Sequence, residues 1–87
     1  MSRPEALDAA EALAVQLRAE GHWVGDTPQY RVTRLTAARV LRVSEATLRN
    51  RASKGLRPDY YRVMGRVYYS LMELLDFMET RPDDMAA

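Results

Sequence analysis

The sequence predicts a mainly helical chain with one small β-hairpin and an additional helix at its N-terminus. Three observations carry that expectation. The same helix-entry device occurs twice in succession, as Leu35-Thr36 followed by Val40 and as Val43-Ser44 followed by Leu48. Each has an apolar residue, a hydroxyl N-cap and an apolar partner in the staple position. The segment at 60–69, YYRVMGRVYY, is aromatic and β-branched on both sides of Met64-Gly65, as a hairpin requires. Ser70 and Glu73 then form a capping-box pair ahead of an apolar stripe, which predicts a closing helix.

Taken in order, residues 4–20 read as an amphipathic helix. Pro4 suits its first position, Glu5 and Asp8 its positive end, and Gly21 the position after its last turn. Leu7, Ala10, Ala14 and Leu17 form one stripe, with Leu13 beside it. The stripe is narrow and alanine-rich, so it packs closely, either on the domain's own core or on a second copy. Gly21, Gly25, Asp26 and Pro28 around Trp23 read as a linker or turn, and Tyr30 and Val32 as a short strand. The tandem helices are expected at 37–41 and 45–54, capped by Thr36 and Ser44 and joined by a turn at Leu41-Arg42-Val43. Gly55 stops the second and Pro58 prevents its resumption. This is a helix-turn-helix in spacing and chemistry. In the hairpin, alternation puts Tyr61 and Val63 on one face of the first strand, and Val67 and Tyr69 on one face of the second. Met64 is a poor opening residue for a type I′ turn, which leaves the register open. The last helix is expected to bury Leu71, Leu74, Leu75 and Met78 and to end before Pro82.

Composition removes most other functions. A chain of 87 residues makes one domain, and at that size about 60% of the unfolded surface is buried on folding. That is enough for a small core and not for a deep substrate cavity. With 47% hydrophobic and 29% charged residues the chain reads as globular. No apolar run approaches the ~18 residues of a membrane span, and no charged-then-apolar leader opens the sequence. The absence of cysteine excludes disulfides, thiolate chemistry and cysteine-ligated zinc, and suits a reducing cytoplasm. His22, the single histidine, reads as a surface or packing residue. The carboxylates at 73, 76, 79, 83 and 84 read as helix solvation and tail. An enzyme, a cofactor and a small-molecule substrate are therefore not expected.

The net charge of +1 hides a strong segregation. Residues 1–29 sum to −3, residues 30–70 to +8 and residues 71–87 to −4. A basic middle between acidic ends is the footprint of a polyanion-binding module, and double-stranded DNA is the expected partner. On the second tandem helix Leu48 and Ala52 mark the core side, with Arg51 just beyond. Ala46, Arg49, Asn50 and Ser53 fall opposite, flanked by Lys54. Arg matches guanine O6 and N7, Asn matches adenine N6 and N7, and Lys or Ser reaches phosphates. Thr47, near the helix start, suits a phosphate held by the positive end of the helix dipole. Arg62 and Arg66, at or beside the hairpin tip, suit a backbone or a narrow minor groove. Arg39, Arg42 and Ser44 complete the DNA-binding candidates.

In order and spacing, Val43-Ser44, Thr47-Leu48-Arg49, Gly55-Leu56, Pro58, Gly65-Arg66 and Tyr68 or Tyr69 resemble the winged helix-turn-helix module shared by MerR-type regulators and phage excisionases. The match covers about residues 35–76, half the chain. Two positions depart from it, Arg42 where the family usually has Gly and Arg51 where it often has a core aromatic. The resemblance implies a second helix in the major groove and a wing in the adjacent minor groove. It assigns Thr47 and Arg49 to the backbone, Ala46, Asn50 and Ser53 to bases, Arg66 to the minor groove and Arg62 to a weaker phosphate contact. The chain is accordingly read as an N-terminal helix and linker at 1–29, a DNA-binding domain at 30–80 and an acidic tail at 81–87. The chain is short for a MerR-type regulator, so an excisionase, or recombination directionality factor, fits best. Such a protein binds repeated attachment-site or promoter sequences, bends DNA and assists a tyrosine recombinase (an integrase) in excising a mobile element. The setting implied is the bacterial cytoplasm and nucleoid, with self-association cooperative on DNA. A small transcriptional regulator and a terminase small-subunit-like DNA-recognition protein are the alternatives.

Overall fold

Helices begin where a side chain can take up backbone N–H groups that have no intrahelical partner, and these hydroxyl caps order the chain. The computed structural model describes residues 3–26 and 30–80. Expectations for Pro28, for Pro82 and for the tail at 81–87 lie outside the described residues. Along the chain come α1 (Arg3–Ala19), β1 (Arg31–Thr33), α2 (Arg34–Leu41), α3 (Glu45–Ser53), β2 (Tyr61–Val63), β3 (Arg66–Ser70) and α4 (Leu71–Glu79). The described residues thus form a mainly helical protein with a three-stranded antiparallel sheet, in the order β1-β3-β2.

Helix α1 packs against α4. Ala10, Ala14 and Leu17 are fully buried in the same core as α2, α3 and the sheet, while Leu7 at the end of the expected stripe is exposed. The alanine stripe therefore serves the protein's own core. The small side chains let the two helices approach closely, and Leu17 supplies the larger apolar area, worth about 1.5–3 kcal/mol when fully buried. The segment after α1 is a packed return loop. Val24 is buried, its carbonyl accepts from Arg18 at 2.9 Å, and the Gly25 N–H donates to the Arg31 carbonyl at 2.8 Å.

Two details of α2 differ from expectation. The helix starts at Arg34, and its N-cap is Thr33, whose Oγ1 accepts from the Thr36 N–H at 3.3 Å. Thr36 is consequently inside the first turn and buried, and Leu35 is exposed instead of acting as a staple. Two threonines stand three apart, and the one at the end of a strand wins because its backbone is already extended (ψ 166°), as an N-cap requires. The buried Thr36 hydroxyl is satisfied by Thr33 Oγ1 at 3.3 Å and His22 Nδ1 at 3.0 Å, which makes His22 a packing residue.

The hairpin turns through Met64 (φ 50°) and Gly65 (φ 82°), with Val63 opposite Arg66. Two consecutive positive φ values mark a type I′ turn, despite the methionine. The register places Tyr61 opposite Tyr68 and Arg62 opposite Val67. Val67 and Tyr69 thus lie on the core side with Val32, while Tyr61, Val63 and Tyr68 share the outer side. Strand β1 pairs with β3, not β2, so the hairpin is anchored through its second strand.

Ser70 ends β3 and caps α4 at once, its Oγ accepting from the Glu73 N–H. Leu71, Leu74 and Phe77 are the buried residues of α4; Leu75 packs against the core and Met78 is exposed. The short helix turns its three-residue spacing inward, so Phe77 takes the place expected of Met78. No helix among the described residues is long and apolar enough to cross a membrane.

Candidate nucleic-acid interface

The turn between α2 and α3 is set by one residue. Arg42 adopts the left-handed conformation (φ 59°, ψ 44°), and the following Val43 N–H reaches back to the Ala38 carbonyl at 3.1 Å. This is the closure of a Schellman motif, in which glycine is the usual left-handed residue. Arg42 achieves it with a β-carbon, and its side chain remains exposed. Ser44 then caps α3: its Oγ accepts from the Thr47 N–H at 3.1 Å and meets Thr47 Oγ1 at 2.9 Å. The first turn of α3 is therefore rigid, with two hydroxyls at its positive end.

Helix α3 divides by face. Leu48 and Arg51 are its buried residues, and Ala52 is half-buried. Ala46, Arg49, Asn50, Ser53 and Lys54 are exposed, and Thr47 is half-exposed. The Ser53 hydroxyl donates to the Asn50 carbonyl at 2.8 Å and keeps its lone pairs available. Arg51 is buried. Its Nε donates to the Arg57 carbonyl, and its guanidinium lies 5.6 Å from the centre of the Phe77 ring, filling the place of an aromatic with a cation on an aromatic face.

At the hairpin, Arg62 and Arg66 are exposed and lie on opposite faces of the ribbon, since Arg62 pairs with Val67 and Arg66 with Val63. Two cations thus bracket the tip. Between them Met64 is 99% exposed.

The exposed cations differ in their partners, while Arg34 at the start of α2 is half-buried without an ion pair among the described residues and its buried Nε meets no acceptor. Arg57 donates to Glu73 Oε1 at 3.0 Å and to Asp76 Oδ2 at 2.7 Å, and it also reaches Thr80 Oγ1. The carboxylates of Glu73 first and then Asp76 push the Arg57 guanidinium above its already high ordinary pKa. Arg39, expected at the DNA surface, is held by Glu20 Oε2 at 2.9 Å. Arg31 sits over two rings, 5.6 Å from the centre of Trp23 and 5.0 Å from that of Tyr68. Among the described residues Arg42, Arg49, Lys54, Arg62 and Arg66 have no acidic partner, and all five are exposed. They occupy the α2–α3 turn, α3 with its C-cap, and the hairpin.

Structure also links these pieces. Arg57, just past α3, is clamped to α4, while β3 runs directly into α4 through Ser70. Helix α3 and the hairpin are thereby fixed to one common helix. Sequence reading missed this clamp, because a lone Arg before a proline has no local signature. It also missed the outer sheet face, where Trp23, Arg31, Tyr68 and Tyr61 stack with ring centres 5.7 Å (Trp23–Tyr68) and 6.2 Å (Tyr61–Tyr68) apart. Gly25 makes room for this stack, since a β-carbon there would stand 2.6 Å from Arg31 Cγ. Comparison with known proteins finds no matching family model, no similar curated protein and no similar solved structure.

Proposed function

We propose that this chain is a sequence-specific double-stranded-DNA-binding protein of the winged helix-turn-helix kind, acting without catalysis. The observation that carries the reading is the placement of five exposed cations without an acidic partner among the described residues on the turn, on helix α3 with its C-cap and on the hairpin, while Arg39 and Arg57 are paired with carboxylates. In this reading α3 enters the major groove. Arg42, Ser44, Thr47, Arg49 and Lys54 hold phosphates, and Ala46, Asn50 and Ser53 face base edges. The hairpin lies in the neighbouring minor groove with Arg66 inserted and Arg62 on the backbone. The biological role that suits such a module is architectural, of the excisionase type. It binds repeated sites and bends the DNA for a tyrosine recombinase.

The test is a salt titration of binding to duplex DNA, with footprinting on the DNA flanking the gene. Log K should fall with log[salt] at a slope of about −0.9 per phosphate contacted. Arg49→Ala should flatten that slope by about 0.9 and weaken all sequences equally. Asn50→Ala should leave the slope intact and erase about 1–3 kcal/mol of discrimination at one or two base pairs. Several protected direct repeats support the architectural role; a single palindrome would replace it with that of a regulator. A chain that binds no duplex at low salt would overturn the reading altogether.

A further inference from the structure

The tip of the hairpin breaks a rule of turn chemistry in a way that points outward. A type I′ turn needs positive φ at both central residues, which favours Asn, Asp or Gly at the first. Here that position is Met64, held at φ 50° with a β-carbon. Left-handed backbone is costly for such a residue, and strain of this kind collects at functional sites. The strain is not offset by packing, because Met64 is 99% exposed, the most exposed of the large apolar residues. An unbranched thioether thus projects from the end of a narrow two-stranded ribbon, with Val63 before it and the exposed Arg62 and Arg66 on the two faces behind it. At its base the ribbon is anchored: β3 pairs with β2 from Arg66 to Tyr68 and with β1 from Tyr68 to Ser70, and continues into α4.

We propose that Met64 is a wedge that enters a base step of duplex DNA from the minor groove and kinks it. The proposal rests on the duplex-binding reading above and names the residue that would deform the DNA. The minor groove is about 6 Å wide, so it admits a turn tip and a thin side chain and excludes a helix. Apolar side chains that unstack a step bend the duplex toward the major groove. Arg62, on one face, stands toward the phosphates that flank such a groove, and Arg66, on the other, lies in the groove beside the wedge. Methionine suits the task because its flexible, polarisable chain fills an irregular gap. The same inference predicts sequence selection by deformability. Pyrimidine–purine steps such as TA unstack easily and A-tracts resist, so TA-containing sites should be favoured with no hydrogen bond to a base.

The experiment uses the full chain, a duplex with a central TA step and one with an A-tract, each end-labelled for energy transfer and carrying 2-aminopurine at the central step. The wild type should prefer the TA duplex by about threefold to tenfold, shorten its end-to-end distance and brighten the 2-aminopurine. Met64→Asn suits the I′ turn, so it folds at least as well. It should bind both duplexes alike, with the wild-type salt slope and with neither bending nor brightening. Met64→Leu should restore both. Arg66→Ala should flatten the salt slope yet keep the TA preference. Bending and brightening that survive in Met64→Asn would overturn the wedge while leaving duplex binding in place. Absence of binding by the wild type to either duplex would overturn both.

Discussion

At Arg42 a backbone requirement and a surface charge coincide, and one substitution separates them. The residue sits at φ 59° in the turn between α2 and α3, where glycine avoids the steric penalty of a β-carbon. Arg42→Gly should raise the stability of the folded chain by up to about 1 kcal/mol in urea denaturation, the left-handed penalty less the added freedom of the unfolded glycine. The same variant should bind duplex DNA more weakly, with a salt slope shallower by about 0.9. A stabilised protein with unchanged binding would remove Arg42 from the DNA surface. Gly25 is the opposite case, a residue kept small by its neighbours. An alanine there would press on Arg31 Cγ at 2.6 Å and on the Trp23 ring at 3.1 Å, displacing the guanidinium from between its two rings. Gly25→Ala should cost about 1–3 kcal/mol, the range for overpacking, and should raise the solvent exposure of Trp23 in fluorescence. Both positions show what a sequence makes legible at this scale. The turn at Arg42 and the cap at Ser44 are local, within four or five residues, and were readable. The contact between Gly25 and Arg31 depends on a loop returning to a strand, and nothing in the spacing announces it.

Among the elements, α4 is the one that joins the parts of the proposed interface. Its first residue follows the last of β3 directly, and its acidic face grips Arg57 beyond the end of α3. Because the Arg57 pKa is raised on folding, its contribution is fully present below the unfolded value and is lost only as pH rises through the folded one. Both lie far above neutrality, so Arg57 itself adds no slope to stability across the physiological range. The clamp is half-exposed, with 42% of the Arg57 side chain in solvent, so salt should screen it. Arg57→Ala should therefore lower the melting temperature most at low salt, and the deficit should shrink as salt rises. Arg57→Lys keeps the charge and loses the two-pronged donor, so it should recover only part of the loss. A deficit independent of salt would show that the Phe77 contact, at 5.7 Å, and not the ion pairs, carries the effect. Element identities were legible because α2, α3 and α4 each have a hydroxyl at the entrance, and Ser44 and Ser70 were readable as caps. Thr36 was misread because Thr33 competes for the same role, and the choice is made by a strand that forms only when β1 finds β3. Phe77 was misread for a related reason. A two-and-a-half-turn helix fits its stripe to either of two adjacent residues, and tertiary packing decides, with Phe77 taken into the core beneath Arg51 and Arg57.

For the whole molecule the question is how a chain with +8 in its middle and −3 and −4 toward its ends meets another copy of itself. Helix α1 offers no spare apolar face of the kind its sequence stripe suggested, since Ala10, Ala14 and Leu17 are spent inside the core. Helix α4 has nine residues, too few for a coiled coil of its own. The exposed apolar residues of α1 are the separate Leu7 and Val15, and the means of association that the charge segregation offers is an acidic flank of one copy against a basic flank of the next. Exposed ion pairs of that kind are worth about 0–1 kcal/mol each, which cannot hold a dimer at micromolar concentration. Neighbouring sites on DNA change the balance, because they raise the effective concentration of the next copy to about millimolar. The duplex also neutralises the basic faces that would otherwise repel. A head-to-tail contact of this type does not close on itself, so copies would add along the duplex. The chain should therefore sediment as a monomer alone and as a stoichiometric array on a duplex carrying several repeats. Raising the salt should dissolve the array, through both the phosphate contacts and the contacts between copies. Glu11→Gln, at an exposed position of α1 distant in sequence from the residues proposed to face DNA, should weaken cooperativity and leave single-site affinity unchanged. A stable dimer in the absence of DNA would contradict the scheme, and would require an apolar contact surface that the buried stripe of α1 does not supply.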